Sequence, residues 1–302
     1  MKILVVGSVA YDTVRTPFGE VTEVLGGSAA YFSAAAAFFA EVRLVAVVGE
    51  DFAEEDLHLL RERGVDLEGL SRVPGRTFRW RGEYGFDLNE ARTLETHLNV
   101  FATFRPRIPP AYRDSEIVFL ANIDPELQRE VLGQVATPQL VAADTMNFWI
   151  TGKPDALRET LKRVHTLLIN DAEVRMLAGE PNLVKAARKI LSWGLRSLVI
   201  KRGEYGALMF SNGWWFSAPG LPLEQVLDPT GAGDSFAGGF LGYLANTANF
   251  SLDNVRKAVI MGSVMASFAV EDFSLRRLIR LTYPEIEARF REFKGLTHFE
   301  DI

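Results

Sequence analysis

The sequence predicts an α/β fold: a mainly parallel central sheet, helices on both of its faces and a small β sheet projecting from it. Short apolar runs alternate with amphipathic stretches along most of the 302 residues, two segments break that rhythm, and no linker rich in Pro, Gly or Ser divides the chain. Such alternation is typical of βαβ units, whose crossover helices cover a parallel sheet. We therefore expect a single domain over residues 1–302.

The elements follow from local patterns. Six short apolar runs are predicted as buried strands: Lys2–Val6, Val42–Val48, Glu116–Ala121, Gln139–Asp144, Thr166–Ile169 and Arg196–Ile200. Proline favours the first turn of a helix and glycine follows the last, which predicts helices over Ala53–Arg63, Pro125–Val135 and Asn182–Trp193. The small residues of Gly27–Ala40 would let a helix lie close to a sheet or to another helix.

Two segments depart from the strand–helix rhythm. Tyr11–Leu25 contains Pro17 and Gly19, and Val73–Phe104 is longer and rich in aromatic residues. Within the second segment, Thr77–Tyr84 alternates polar and aromatic residues with the period of a strand. We expect residues 11–25 and 73–104 to form the projecting sheet.

Composition excludes several classes of function. The net charge is −6, from 33 Lys+Arg against 39 Asp+Glu, which argues against a nucleic-acid-binding protein. The absence of cysteine excludes disulfides, thiolate catalysis and Cys-ligated zinc, and it is consistent with a reducing compartment. The N-terminus runs directly into an apolar strand pattern, without a secretory signal or a membrane span, so we expect a cytoplasmic protein with no membrane partner.

The most informative segment is Asp228–Phe240, with the sequence DPTGAGDSFAGGF. The small-residue turn Gly231-Ala232-Gly233 opens into a helix pattern, so several free backbone N–H groups would point at one spot and favour an anion there. Asp234 lies in that first turn. A carboxylate beside an anion site makes chemical sense if it accepts the proton of a hydroxyl that attacks a phosphate.

This string resembles the C-terminal signature of the PfkB/ribokinase family of carbohydrate and nucleoside kinases. Further motifs in the same order extend the resemblance over nearly the whole chain. They are Gly7–Asp12, Gly26–Ala30, Val48–Phe52, Asn170–Glu173 and Lys201–Gly206. The resemblance implies a ribokinase-like fold in which the projecting sheet is a lid, and phosphorylation of a hydroxyl group by ATP.

The resemblance also implies roles for individual residues. Asp234 would be the general base, and the amides of Gly231, Ala232 and Gly233 would form the anion hole. Substrate binding is implied for Asp12, Gly26 and Gly27. Nucleotide or Mg²⁺-phosphate binding is implied for Asn170, Glu173, Lys201, Gly203 and Gly206. Asp228 and Thr230 match positions at which relatives bind a monovalent cation, so K⁺ is a candidate cofactor beside ATP and Mg²⁺.

The substrate is less well defined by the sequence. Tyr31 is a candidate substrate contact that stands where ribokinase-like sugar kinases carry an asparagine. Its ring could stack or hydrogen-bond differently from an amide, which argues against ribose bound in the ribokinase manner. Asn122 and Asp144 follow predicted strands, at the edge where open α/β sheets bind ligands, and are further candidate substrate contacts. Trp80 could cover a nucleobase or the apolar face of a sugar, or it could pack within the lid or against a second subunit.

These observations predict a PfkB-type kinase acting on a primary alcohol of a sugar or polyol. A nucleoside kinase on the same fold is the first alternative, and a catalytically silent sensor of sugars or nucleotides is the second. Because the strand around Trp80 exposes an apolar face, we also expect a homodimer in which the lids meet.

Overall fold

A computed structural model describes residues 1–211 and 213–298. The strands in this part of the chain are β1 Lys2–Val6, β2 Ala10–Thr16, β3 Gly19–Gly26, β4 Glu41–Gly49, β5 Val65–Val73, β6 Phe78–Tyr84, β7 Ala91–His97, β8 Ile117–Leu120, β9 Leu140–Asp144, β10 Thr166–Asn170, β11 Ser197–Lys201, β12 Ala207–Ser211 and β13 Trp214–Ala218.

The helices in the same residues follow the strand order. They are α1 Ser28–Ala36, α2 Glu54–Glu62, α3 Pro125–Leu132, α4 Asn147–Gly152, α5 Pro154–Leu161, α6 Asp171–Ala178, α7 Leu183–Leu191, α8 Ala232–Thr247, α9 Leu252–Ala269, α10 Arg276–Arg280 and α11 Tyr283–Thr297. Short 3₁₀ helices span Asn99–Thr103, Pro110–Tyr112 and Gly203–Tyr205.

A nine-stranded sheet runs in the order β13-β12-β11-β10-β9-β8-β1-β4-β5. The strands from β11 to β5 pair in parallel, and the antiparallel pair β12 and β13 extends one edge. Chain order reverses around β1, because β4 lies on one side of it and β8 on the other. The predicted α/β fold with a mainly parallel sheet is confirmed.

Apolar residues on both faces of the sheet explain why the central strands read as continuous hydrophobic runs. In β1, Ile3 and Val5 join a core with α1, α8 and α9, whereas Leu4 and Val6 join the core on the opposite face. Both sets of side chains are fully buried. A strand covered on both sides needs apolar residues at every position.

The second sheet has four strands in the order β3-β2-β6-β7 and contains the alternating segment around Trp80. The structure differs from the predicted lid range at two places. Val73 ends β5 of the large sheet, where it pairs with Gly49, before the chain turns at Gly75. The 3₁₀ helix Asn99–Thr103 places Val100 in the core of the large sheet. The predicted lid range and the predicted single domain over residues 1–302 stay predictions. That domain includes residues 212 and 299–302, which lie outside the described residues.

Candidate active site

The carboxyl ends of four neighbouring strands bring the predicted polar residues to one edge of the large sheet. Asn122 follows β8, Asp144 ends β9, Asn170 ends β10 and Lys201 ends β11. These strands are adjacent in the order β8-β9-β10-β11. Side chains from 80 residues of sequence therefore meet along about 14 Å of sheet edge, because neighbouring strands lie ~4.8 Å apart.

The N-terminus of α8 faces this edge. Gly231 is its N-cap residue with φ 74°, and no side chain among the described residues caps the helix. The ring of Tyr31 lies so close to Gly231 that a Cβ there would collide with it. Glycine is therefore required at position 231 for two reasons: the backbone is left-handed there, and the Tyr31 ring occupies the space that a Cβ would need. The Ala232 N–H donates to the Pro229 carbonyl over 3.1 Å, which leaves the first-turn amides of Gly233 and Asp234 as the candidate donors to an anion.

Asp234 projects from the first turn of α8 and lines the same pocket as Asp144, Asn170, Glu173 and Lys201. Burial raises the pKa of its carboxyl to about 8; the charge of Asp144 raises it further, and the ammonium of Lys201 acts in the opposite direction. A pKa near neutrality is the property expected of a general base that collects a proton from an alcohol.

Lys201 and Asp144 form an ion pair across the intervening strand β10. The Lys201 Nζ donates to Asp144 Oδ2 over 2.8 Å, and the two side chains are 17% and 7% exposed. Burial alone would lower the pKa of Lys201, but the carboxylates of Asp144 and Asp234 outweigh it and raise that pKa. Asp144 Oδ1 accepts from the backbone N–H of Thr145 over 2.7 Å. Each oxygen of Asp144 thus accepts one hydrogen bond from the protein, and the side chain lines the pocket, so its predicted role as a substrate contact stays a prediction.

Asn170 and Glu173 form a capping box at the start of α6. Asn170 Oδ1 accepts from the Glu173 backbone N–H over 2.8 Å, and Glu173 Oε2 accepts from the Asn170 backbone N–H over 3.1 Å. Burial, with the nearby Asp144, raises the pKa of Glu173 to about 7. Both residues line the pocket, so the cap holds an amide and a carboxyl in place beside Asp234.

Asp12 lies on β2 against the two glycines that precede α1. It is 4% exposed, and a Cβ on Gly26 would collide with its carboxylate. Gly27, with φ 95°, would bring a Cβ to 2.6 Å from the Ser8 carbonyl oxygen. Burial raises the pKa of Asp12 to about 7, while the Gly27 backbone N–H lowers it and Asp228 raises it. The glycines therefore make room for a buried acceptor group.

Aromatic residues connect Asp12 to the turn before α8. Tyr31 is fully buried, and its pKa is raised well above the usual value by burial and by the charges of Asp228 and Asp12. The Thr230 hydroxyl donates to Tyr84 Oη on the lid over 3.2 Å. Asp228 accepts from the backbone N–H groups of Thr230 over 2.9 Å and Ser274 over 3.4 Å, which fixes the turn. Burial raises the pKa of Asp228.

Gly203 and Gly206 are placed beside the pocket rather than in it. They have φ 55° and 80° in the loop after β11, and side chains there would meet Asn89 of the lid and the backbone after β13. The loop is therefore shaped by glycine to pass close to two other segments. Asn89 is a lid contact that the sequence did not predict.

Asn122 is partly engaged by its neighbours. Its amide donates to Met146 Sδ over 3.0 Å and accepts from Trp149 Nε1 over 3.0 Å. Three further lining residues, Ser28, Thr145 and Met146, were not predicted as site residues. Thr145 Oγ1 is buried and has no hydrogen-bond partner among the described residues. Their position directly after Gly27 and Asp144 was the signal that could have found them.

The lid places Trp80 beside Asp12. The two residues are paired across the parallel strands β2 and β6, so their side chains share one face of the small sheet. The indole lies over Gly82, where any Cβ would collide with it, and its Nε1 donates to Thr93 Oγ1 over 3.1 Å. These two contacts fix the orientation of the Trp80 indole, and the side chain is half-buried.

The pocket measures about 160 Å³ and combines a helix N-terminus, one lysine and two carboxyls of raised pKa, Glu173 and Asp234. It can hold an anion against the α8 amides and move a proton to Asp234. The full family comparison agrees with this chemistry, because the family described as pfkB family carbohydrate kinase matches residues 1–279. The chain belongs to the pfkB family.

One curated relative and two solved structures resemble this pfkB-family kinase over most of its length. A cytidine kinase of Thermococcus kodakarensis is 34% identical over 250 residues, which cover 80% of this chain and 87% of that protein. A nucleoside kinase of Burkholderia thailandensis, solved with inosine, matches with a TM-score of 0.77 at 20% identity over 97% of this chain and 98% of that chain. A ribokinase-like protein of E. coli, solved with ATP and Mg²⁺, matches with a TM-score of 0.77 at 18% identity over 96% and 99% of the two chains.

These comparisons confirm the predicted family and its ribokinase-like fold, with a small four-stranded lid sheet beside the nine-stranded one. The chain is therefore a kinase of this family. They favour the nucleoside-kinase alternative over the sugar or polyol kinase that the sequence ranked first. None of the helices within residues 1–211 and 213–298 has the length and hydropathy needed to span a bilayer.

Proposed function

We propose that this kinase phosphorylates the ribose of a nucleoside at its primary hydroxyl, with ATP as the donor. The observation that carries the proposal is the pairing of Asp12 with Trp80 on adjacent lid strands. A buried carboxylate that accepts from a diol, with a flat aromatic ring on the neighbouring strand whose backbone lies ~4.8 Å away, would suit a ribose joined to a planar base. The 34% identity to a cytidine kinase supports the same substrate class and makes cytidine the first nucleoside to test.

Asp12 would accept hydrogen bonds from the two vicinal hydroxyls of the ribose. Gly26 and Gly27 would make room for the Asp12 carboxylate to face the sugar, since a Cβ at Gly26 would collide with Asp12 and one at Gly27 with the Ser8 carbonyl. Tyr31 packs on Gly231 and would hold the acceptor pocket and the anion hole in register. This role replaces the direct sugar contact that we expected for Tyr31, because its ring is buried against the turn.

Asp234 would act as the general base. It would accept the proton of the primary hydroxyl while the amides of Gly231, Ala232, Gly233 and Asp234 stabilise negative charge on the transferring phosphoryl group. The pKa of about 8 favours this role, because a carboxyl of ordinary pKa is a weak base towards an alcohol.

Asn170 and Glu173 would lie beside the nucleotide phosphates, and Gly203 and Gly206 would shape the loop under the nucleotide. No cluster of three His, Asp or Glu side chains within the described residues could hold a metal by itself. Mg²⁺, which supplies charge neutralisation when it accompanies ATP, would therefore be held mainly by phosphates and water, with Asn170 and Glu173 nearby. Asp228 and Thr230 remain our candidates for a K⁺ site beside the anion hole.

A panel of acceptors tests the proposal. Initial rates with ATP and Mg²⁺ would be measured for cytidine, uridine, inosine, adenosine, ribose, fructose and a polyol. We expect at least one nucleoside to exceed every free sugar and polyol by about 100-fold in kcat/KM, since base stacking contributes ~1–3 kcal/mol. A preference for a free sugar would restore the sugar-kinase prediction, and no turnover with any acceptor would favour a silent sensor.

A further inference from the structure

We propose that Lys201 is a catalytic residue that neutralises the transferring phosphoryl group, and that Asp144 is the positioning residue that aims it. This inference rests on the proposed kinase chemistry but not on the identity of the acceptor. It goes beyond nucleotide binding, because it assigns Lys201 to the transition state rather than to the bound ATP.

The Lys201 ammonium lies against the first turn of α8. A Cβ built on Gly233 would lie 2.8 Å from Lys201 Nζ, so the charge sits against the first turn of α8. Lys201, Gly233 and Asp234 line the same pocket. An anion bound by the α8 amides would therefore contact the lysine as well, and Gly233 is the residue that makes room for it.

Asp144 holds the Lys201 ammonium in a fixed position. Asp144 Oδ2 accepts from Lys201 over 2.8 Å, while Asp144 Oδ1 is fixed by the Thr145 backbone N–H over 2.7 Å. The Gln128 side chain donates to the Asp144 carbonyl over 3.0 Å and also to the carbonyls of Leu120 and Ala121, which braces the strand ends. The lysine is thus pre-positioned, and two of its three protons remain for a phosphate.

The charges around Asp234 also favour this role for Lys201. The groups that face Asp234 are Lys201, Asp144, Asp12, Tyr31 and Tyr84. Lys201 is the cationic side chain among those facing groups, and the pocket must accept a polyanion. A positive charge placed where charge develops stabilises the transition state more than the ground state.

The step itself is an in-line displacement. The acceptor oxygen forms a bond to the γ-phosphorus of ATP, and its proton passes to Asp234. The bond from the γ-phosphorus to the bridging oxygen breaks, and the electron pair leaves with ADP. Lys201 donates hydrogen bonds to a non-bridging oxygen of the group in transfer while it stays paired with Asp144.

Two measurements on Lys201→Met test the proposal. We expect kcat to fall by about 10²–10³-fold, the usual loss for one charge-stabilising donor, while KM for ATP changes by less than about fivefold. Independently of any acceptor, binding of ADP with aluminium fluoride and Mg²⁺, a mimic of the transferring group, should weaken by about 10²-fold while binding of ADP alone is retained. A purely structural lysine would weaken both ligands alike.

Further variants keep the test decisive if Lys201→Met fails to fold. Lys201→Gln can still donate to Asp144 and should show the same losses, whereas Lys201→Arg keeps the charge and should exceed Lys201→Gln in kcat by at least tenfold. Lys185→Met, an exposed lysine on α7, is the matched control and should behave as wild type. Wild-type kcat and wild-type binding of ADP–aluminium fluoride in Lys201→Gln would overturn the proposal, even if nucleosides prove to be the substrates.

Asp144 needs a readout that a structural role would not move. Because its charge raises the pKa of Asp234 and that of Lys201 lowers it, Asp144→Asn should move the acid limb of the rate profile to lower pH and Lys201→Gln should move it to higher pH. Shifts in the same direction, or no shift in either variant, would contradict the pairing.

Discussion

At the scale of single residues, the central group is Asp234. Asp234→Asn keeps the size of the side chain but cannot accept a proton, so we expect kcat to fall by ~10²–10⁴-fold with little change in nucleotide affinity. Steady-state kinetics with the best acceptor and a separate ADP-binding titration measure the two effects. Retention of most of the turnover would show that another group is the base.

The pH dependence of the wild type gives a second prediction about Asp234. A base must be ionised to act, and the carboxyl has a pKa of about 8 rather than about 4. Activity should therefore rise with pH up to about 8, and kcat/KM measured from pH 5 to 9 should show that acid limb. A profile that is flat above pH 5 would mean that Asp234 ionises like an exposed carboxylate.

Asp12 is the residue that would read the sugar. A buried acceptor that loses its donors costs ~1–3 kcal/mol, so acceptors without the vicinal diol should lose at least tenfold in kcat/KM. Asp12→Ala should weaken binding and abolish this discrimination, which is measured with cytidine and 2′-deoxycytidine on both proteins. Equal discrimination by the two proteins would place the diol elsewhere.

Sequence and structure differ in what they reveal at this scale. The anion hole and its base could be predicted because Gly231 and Asp234 belong to one short string whose local backbone defines it. The residues that contact this segment could not be predicted from the sequence. Lys201 and Asp144 are separated by 57 positions, and only the strand order brings them to 2.8 Å. The contact between Tyr31 and Gly231 likewise depends on how α1 packs on α8.

At the scale of elements, the lid strand β6 carries a prediction of its own. Removing the indole in Trp80→Ala should lower kcat/KM for a nucleoside by about 10- to 100-fold, because stacking on a base is lost, and leave free ribose nearly unaffected. Trp193→Ala, which removes an indole two residues after α7 and away from the pocket, is the control. Equal losses for nucleoside and ribose would assign Trp80 to packing of the lid.

The elements also show where sequence patterns were insufficient. The six buried strands were predicted because each is a continuous apolar run covered on both faces. The edge strand β5 was missed, because Val65–Val73 alternates with charged residues and contains Gly69. The antiparallel strands β12 and β13 were also missed; they lie at the other edge of the sheet, where β13 is only partly covered.

At the scale of the whole molecule, the lid surface predicts assembly. The turn after β6 exposes Phe86 (97%), the edge strand β7 exposes Leu94 (38%), and Leu98 directly after β7 is 45% exposed. Exposed apolar edges tend to find a partner, so we expect a homodimer in which the lids meet, measured by light scattering at micromolar concentration. Leu94→Glu should give monomers, whereas Val184→Glu on α7 should not. A fully active wild-type monomer would contradict this arrangement.

The central claim is that the site selects a nucleoside over a free sugar for phosphoryl transfer. The most direct test incubates the enzyme with ATP, Mg²⁺ and equal amounts of cytidine and ribose, and follows the phosphorylated products by ³¹P NMR. We expect cytidine monophosphate to form in at least tenfold excess over ribose phosphate, and Asp234→Asn to form neither at a comparable rate. Ribose phosphate as the main product, or equal amounts of the two, would contradict it.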